Sequence, residues 1–420
     1  MADNLRHYLC ACWHSCFTKL IFFFLQLNVG FWMSSGSKLQ AAQAHENWNS
    51  SSEVNLVANL ENFDLVPNSS SDRYSIPMPL PVLIAAPENF NPGLRLPPPT
   101  PPAPPKPPQN SSPPTFTEPV KPIADLESIQ TDFRNDTDNF GQNNLFIEPT
   151  AQFRLSNGNK ILFKTGLNLF EQRGVDSITN IPFQIGWQGK IGQVTLQTAA
   201  GVDLFNRLPT TINLNAKVEA PILPPKVSPS GRLLSGLTLS ANLEQGPYKS
   251  NARTLDNQIT AWRFGPDLYW QIDRDTSLFS SLRLGSYNDD NSEVQTFSRL
   301  ERKFGQFSLA ANLFTWSYDR DLERTSGYFS PSDFLVYNAE VAWEGDISNF
   351  LRCRLAANLG RQRLKGEFDN ANTYQTRCTV KLSPNIEADL GYNFSNVRNQ
   401  DTGVSSYSGN SLTGQLRIKF

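Results

Sequence analysis

Glu387 and Asp389 are spaced i, i+2, which on a β-strand puts two carboxylates on one face and makes them a candidate general acid–base pair. Such a pair works only if a dry pocket raises one of the two pKa values, and a hydrated wall accepts the same spacing with no reaction at all. Histidine occurs only at His7, His14 and His45, so a Ser–His hydrolase has no imidazole base in the C-terminal two-thirds of the chain. Cys10-Ala11-Cys12 has no downstream Cys or His at zinc-ligand spacing, and there is no phosphate-cradling glycine loop or H-E-x-x-H. The expectation is therefore no catalytic residue, no metal and no cofactor.

The informative charges are basic. Along Leu351–Leu359, Leu351, Cys353, Leu355, Ala357 and Leu359 alternate with Arg352, Arg354, Ala356 and Asn358. In the next alternating segment Tyr374, Thr376, Cys378, Val380 and Leu382 oppose Gln375, Arg377, Thr379 and Lys381. A charge on a lipid face costs ~2–4 kcal/mol at mid-membrane, so the arginine faces are expected to line a lumen. Arg352, Arg354, Arg377 and Lys381 then form a basic wall, flanked by Glu340 on one side and by Glu387 and Asp389 on the other. Such a wall serves either as a track for a polar or anionic polymer or as a salt-bridge lattice that stiffens the barrel.

The same alternation runs into the C-terminus. In Ser411–Phe420, Leu412, Gly414, Leu416, Ile418 and Phe420 share a face opposite Ser411, Thr413, Gln415, Arg417 and Lys419. One face for lipid and one for water is the requirement of a membrane-spanning strand. Comparable segments recur from residue 145, fifteen in all, and a weak one near Ile129–Arg134 makes sixteen. The fold class expected is all-β: a transmembrane antiparallel β-barrel of about sixteen strands, or fourteen if 145–155 is not a strand.

Read back from Phe420, alternate connections are short: Ser383-Pro384, Gly345–Ile347, Gly305, Asp273–Thr276, Gly189-Lys190 and Ser156–Asn159. Those between them, at 397–408, 362–371, 319–333, 288–293 and 246–256, are longer. Short turns at one end and long loops at the other are the asymmetry of outer-membrane barrels. Residues 221–232, with Pro221, Pro224, Pro225 and Pro229, break the rule as a long loop at the short-turn end. Trp262, Phe264, Trp270, Trp316, Tyr318, Trp343, Tyr392 and Phe394 fall near strand ends and suit an interfacial aromatic girdle.

The N-terminal third differs. Leu20–Trp32 is apolar, follows Lys19 and is trailed by Ala42-Gln43-Ala44, which reads as a signal peptide over 1–44, with an uncleaved anchor as the alternative. Residues 45–128 read as a disordered Asn/Ser- and Pro-rich periplasmic linker. Its twelve-residue centre, 97–108, extends about 37 Å as polyproline II. The barrel is assigned 129–420. Residues 1–144 carry 8 basic and 13 acidic side chains, against 29 and 26 in the remainder, and neither balance suits nucleic acid.

The segment Gly327-Tyr328-Phe329-Ser330-Pro331-Ser332-Asp333-Phe334-Leu335 resembles the C-terminal outer-membrane barrel of cellulose synthase operon protein C, which carries a similar signature opening a barrel strand. The matching residues are Tyr328, Phe329, Ser330 and Pro331. The resemblance implies a channel exporting a cellulose-like exopolysaccharide. That family places tetratricopeptide repeats before its barrel, whereas no 34-residue period occurs in residues 45–144 here. Recruitment of a synthase would then fall to a separate protein or periplasmic adaptor, reached through the linker.

The functional expectation is a passive outer-membrane channel, with a general or small-solute porin as the alternative and a structural anchor to the cell wall or a periplasmic partner as the competing class. Outer-membrane lipid and the barrel-insertion machinery are the expected partners, with Phe420 as the assembly signal. Cys353 and Cys378 sit at positions that oppose each other in an antiparallel pair and are the disulfide candidates, with two unpaired thiols as the alternative.

Overall fold

A computed structural model describes residues 124–229, 233–397 and 408–420. The segment expected to be a signal peptide, the proline tract, the three histidines and Cys10, Cys12 and Cys16 lie outside the described residues. The first strand begins at Ala124, so the barrel starts ahead of the expected boundary at 129.

Along the chain come β1 (Ala124–Asp138), β2 (Gln142–Leu155), β3 (Lys160–Thr165), β4 (Leu167–Gln172), β5 (Val175–Ile191), β6 (Val194–Phe205), β7 (Thr211–Val227) and β8 (Leu233–Pro247). There follow α1 (Ala252–Asp256), β9 (Thr260–Gln271), β10 (Thr276–Tyr287), β11 (Ser292–Phe304), β12 (Phe307–Tyr318) and α2 (Glu323–Ser326). The chain closes with β13 (Phe334–Ser348), β14 (Leu351–Leu364), β15 (Glu367–Ser383), β16 (Ile386–Ser395) and β17 (Gly409–Lys419). β3 and β4 are one strand interrupted at Gly166, because Thr150 faces Lys164 and Ile147 faces Leu167 in a single unbroken register. A Cβ at Gly166 would stand 2.5 Å from the Ile147 carbonyl oxygen, so only glycine fits. Sixteen strands result, each antiparallel to its sequence neighbours.

The sheet closes on itself. β1 pairs with β17 from Ser128–Lys419 to Asp138–Gly409, and with β2 on its other edge. Closure leaves no strand edge in a medium where each unpaired backbone group costs several kcal/mol. Phe420 extends the seam: its backbone N–H donates to the Glu127 carbonyl at 3.1 Å, and its ring is exposed.

Period-2 sorting is nearly complete. Ile185, Ile212, Leu300, Val341, Leu355, Leu359 and Leu390 are exposed on the outer face, while Asn213, Asp267, Arg299, Glu340 and Asn358 are buried on the inner one. Trp262, Phe264, Trp270 and Tyr392 are exposed on the outer face, as a girdle requires. Trp316 and Tyr318 are buried instead and belong to an internal cluster.

Several connections depart from expectation. The long loop expected at 362–371 is a two-residue turn, Lys365-Gly366, with φ of 52° and 88°. Two consecutive positive φ values match the right-handed twist of a hairpin, which lets β14 and β15 run almost to the turn. Gly345 and Gly189 are strand residues, and the turns fall later, at Asn349-Phe350 and Gly192-Gln193. Those glycines leave room for an aromatic ring: a Cβ would lie 2.7 Å from Cζ2 of Trp343 at Gly345, and would overlap the Trp187 ring at Gly189. Within the proline-rich segment, residues 221–227 are the end of β7, whose pairing with β8 slips at Pro221, Leu223 and Lys226. Proline offers no ladder donor, so the strand bulges around it and continues.

β14 and β15 pair with Leu351 opposite Val380, Cys353 opposite Cys378 and Leu355 opposite Thr376. The two sulfurs are bonded, with Cα atoms 4.1 Å apart at a sequence separation of 25. Alkylation of the denatured, unreduced protein followed by peptide mapping should find Cys353 and Cys378 unmodified. Recovery of either as an alkylated thiol rules the bridge out. Loss of Phe420 should lower the yield of heat-modifiable barrel in outer membranes, and unchanged yield and gel mobility would remove its role as an assembly signal.

Candidate functional site: the lumen and its strapped mouth

Inward-facing charge on β9–β14 is neutralised within the wall. Arg263 pairs with Glu293 at 3.2 Å and Arg283 with Asp267 at 2.9 Å, all four buried. Arg299 donates to Glu340 at 2.9 and 2.8 Å and to Glu301 at 3.1 Å, and Arg354 donates to the same Glu340. Asn312 bridges Asn338 at 2.7 Å and Asn358 at 3.1 Å. Buried charges are stable only when paired and hydrogen-bonded, and every charge named here has an ionic partner, while Arg263 Nη1, Arg283 Nε and Glu301 Oε1 are left without a hydrogen bond. Gly265 and Gly285 make room for it, since a Cβ there would strike Arg283 Nη1 at 2.5 Å and Glu293 Oε2 at 2.6 Å.

All seven expected wall residues are strand residues with inward register. Arg354 faces Arg377 directly, and the like charges part company: Arg354 turns to Glu340, and Arg377 to Asp389 at 2.8 Å. Arg352 pairs with Glu344 at 2.9 Å, and Lys381 stands opposite Glu387 in the ladder. Glu340 and Asp389 are buried beneath their arginines. Glu387 and Asp389 lie on one face of β16 as two neighbours in an ionic wall, each next to a guanidinium. Among the described residues no His/Cys/Asp/Glu cluster could hold a metal.

The end with the long loops is obstructed. The β12–β13 loop, Asp319–Asp333, folds inward, and Tyr328, Phe329 and Ser330 of the signature segment are buried. Tyr328 stacks on Tyr287 at 5.1 Å and 15°, and meets Tyr248 edge-on at 5.4 Å. Phe329 packs against Trp316 and Phe334. Burial pushes the Tyr328 phenol up, so it stays protonated and donates to Asp289 at 3.0 Å while accepting from Asn291. Pro331 supplies its carbonyl to the Tyr318 N–H at 2.8 Å, which continues the wall into the loop. Gly327 takes φ 85° as the C-cap of α2.

A second inward loop, between β8 and β9, was not apparent as a site in the sequence. Its helix α1 is capped by Asn251, whose side chain accepts from the Thr254 N–H at 2.9 Å, so Asn251-x-x-Thr254 was the available signal. Asn251 also donates to the Gly327 carbonyl at 2.7 Å, and Asn257 donates to the Thr325 carbonyl at 2.9 Å. The two loops are thereby joined. On the far side the Ser250 carbonyl accepts from Gln142 at 3.3 Å and Asn144 at 2.9 Å, both on β2. Lys249 pairs with the buried Asp203, which also accepts from Asn180 at 3.1 Å and Asn213 at 2.7 Å. Ala252 and Leu255 pack on Phe146, Phe170 and Ile178. β12 and β2 lie on nearly opposite sides of a sixteen-strand ring, so the joined loops form a strap across the mouth.

No family model matches this chain, and no curated protein does. Solved structures do. The chain is similar to a bacterial polysaccharide outer membrane secretin, with a TM-score of 0.57 and 11% identity over 70% of this chain and 98% of that one. This is the fold of outer-membrane β-barrels. Weaker similarities are to CdiB from Acinetobacter baumannii, at TM-score 0.44 and 9% identity over 71% and 60% of the two chains, and to OccK3 (OpdO) from Pseudomonas aeruginosa, at 0.39 and 13% over 70% and 95%.

The strap makes a direct prediction. A Cβ at Gly327 would lie 2.5 Å from Cγ of Arg253 and would have to adopt a left-handed backbone. Gly327→Val, or removal of Leu322–Ser326, should part the loops and raise single-channel conductance while the barrel stays heat-modifiable. Equal conductance in both variants and the parent would reduce the loops to surface features.

Proposed function

We propose that this protein is a passive outer-membrane channel for hydrophilic cargo, with an exopolysaccharide as the cargo. The observation that carries the channel reading is a closed barrel with a polar, ion-paired inner face and two bonded loops strapped across one mouth. An anchor needs neither a hydrated interior nor a strap. The cargo reading is supported by the Gly327–Leu335 segment, which resembles the cellulose-export barrels and forms the buried wedge of the strap. A neighbour of the same fold is itself described as a polysaccharide secretin. The wall of Arg352, Arg354, Arg377, Lys381, Glu340, Glu387 and Asp389 lines the lumen in this proposal, and no step of chemistry is assigned to it. The short-turn end faces the periplasm, where the N-terminal linker meets any adaptor or synthase, and the strapped end faces outward.

Reconstitution tests this. In planar bilayers the purified barrel should conduct, and in proteoliposomes the strap-deleted barrel should release short glucan chains retained by protein-free vesicles. Conductance with no glucan release would favour the small-solute porin. A sealed bilayer with both the parent and the strap-deleted barrel would leave the anchor.

A further inference from the structure

The ion pairs of the lumen differ in which partner reaches the water. On β9–β13, Arg263, Arg283 and Arg299 are as deeply covered as their carboxylates. On β15–β17 and β1–β3 the cation stands over the anion. Side-chain exposure is 29% for Arg377 against 7% for Asp389, and 35% for Arg417 against 28% for Glu387. It is 35% for Lys164 against 17% for Glu148, a pair 2.7 Å apart. Arg154 and Lys160 likewise stand over a shared Glu127 near the short-turn end. Asp132, on the same wall, is covered by amide donors from Gln130 at 3.1 Å and Gln415 at 2.8 Å. Arg134 and Asp136 are level with each other, and the opposite order occurs on β7, where Glu219 is more exposed than Lys217.

We infer that the permeation path runs along the wall formed by β15–β17 and β1–β3, and that its exposed cation tips give the channel a preference for anionic groups. The inference rests on the channel reading and adds the path and the charge class of what it favours. Near-neutral pairing does not erase the preference. At a water-filled surface a permeating ion meets the outermost charge first, and the carboxylate beneath is partly masked by the cation and by protein. The ligand class is a hydrophilic solute or chain bearing carboxylate, sulfate or phosphate groups, and chloride is the simplest probe. The covered β9–β13 lattice, although it contains three arginines, contributes stiffness and not selectivity.

Reversal potentials in a potassium chloride gradient test this, measured on the parent and on the barrel lacking Leu322–Ser326. Both should report chloride as more permeant than potassium. Lys164→Glu and Arg417→Glu should each move the reversal potential toward the cation side, and Lys164→Gln should move it less. Arg302→Glu makes the same charge change at an exposed outer-face position and should leave the potential unshifted. The shifts should shrink between 0.1 M and 1 M salt, as the screening length falls from ~10 Å to ~3 Å. Heat-modifiable gel mobility identifies variants that fold. Conductance with no anion preference, or an equal shift from Arg302→Glu, overturns this inference and leaves the channel intact. Absence of conductance in both barrels overturns the channel and the inference together.

Discussion

Closure of the hydrogen-bonded ladder governs everything else in this molecule. Within hydrocarbon a strand edge cannot be satisfied by water, so the sixteen strands hold only if the last pairs with the first. The β1–β17 seam does this over eleven consecutive residue pairs, and the Phe420 N–H adds one more bond to β1. With the ring closed, every strand has an inside and an outside fixed by register. A slip of one residue would move a whole set of arginines into lipid.

That fixed register makes the lumen a chemical surface instead of a scatter of charges. Arg299 and Arg354 converge on Glu340 from two different strands, and the Asp203 carboxylate, held by the Asn180 and Asn213 amides, provides a socket for Lys249. Glycines on the inner face give the long side chains room to lie flat. The strap then depends on this wall, because its far end is held by Asp203, Gln142 and Asn144, and its near end by the aromatic cluster around Tyr287, Trp316 and Tyr328. The loops are held by hydrogen bonds, ring packing and the ion pairs Lys249–Asp203, Arg207–Asp256, Lys365–Asp321 and Arg363–Asp333, a sparser set of contacts than a strand ladder.

Several features were written in local pattern and failed locally. Glycine and proline mark turns when a turn is all that can use them, but Gly189 and Gly345 receive tryptophan rings, and Pro221–Pro225 are absorbed into a bulged strand. Trp316 and Tyr318 sit near a strand end as girdle residues do, yet their parity points them inward. In each case the deciding contact comes from a residue or strand that the local pattern does not identify.

The sequence by itself determined the sheet. Alternation along each strand set which face meets lipid, the turn spacing set the antiparallel meander, and the weak segment near Ile129–Arg134 supplied the strand that closes the ring. Even the opposition of Cys353 and Cys378 followed from constant register across one hairpin. Only the tertiary structure decided what fills the mouth and which charges meet water. Lys249 finds Asp203, and Asn251 finds Gly327, across sequence distances of 46 and 76 residues. Such contacts depend on curvature and on loop paths that no period of two or 3.6 encodes. Exposure of Arg377 over Asp389, likewise, is a property of how neighbouring strands pack, and the Arg299–Glu340 pair of β11 and β13 is covered.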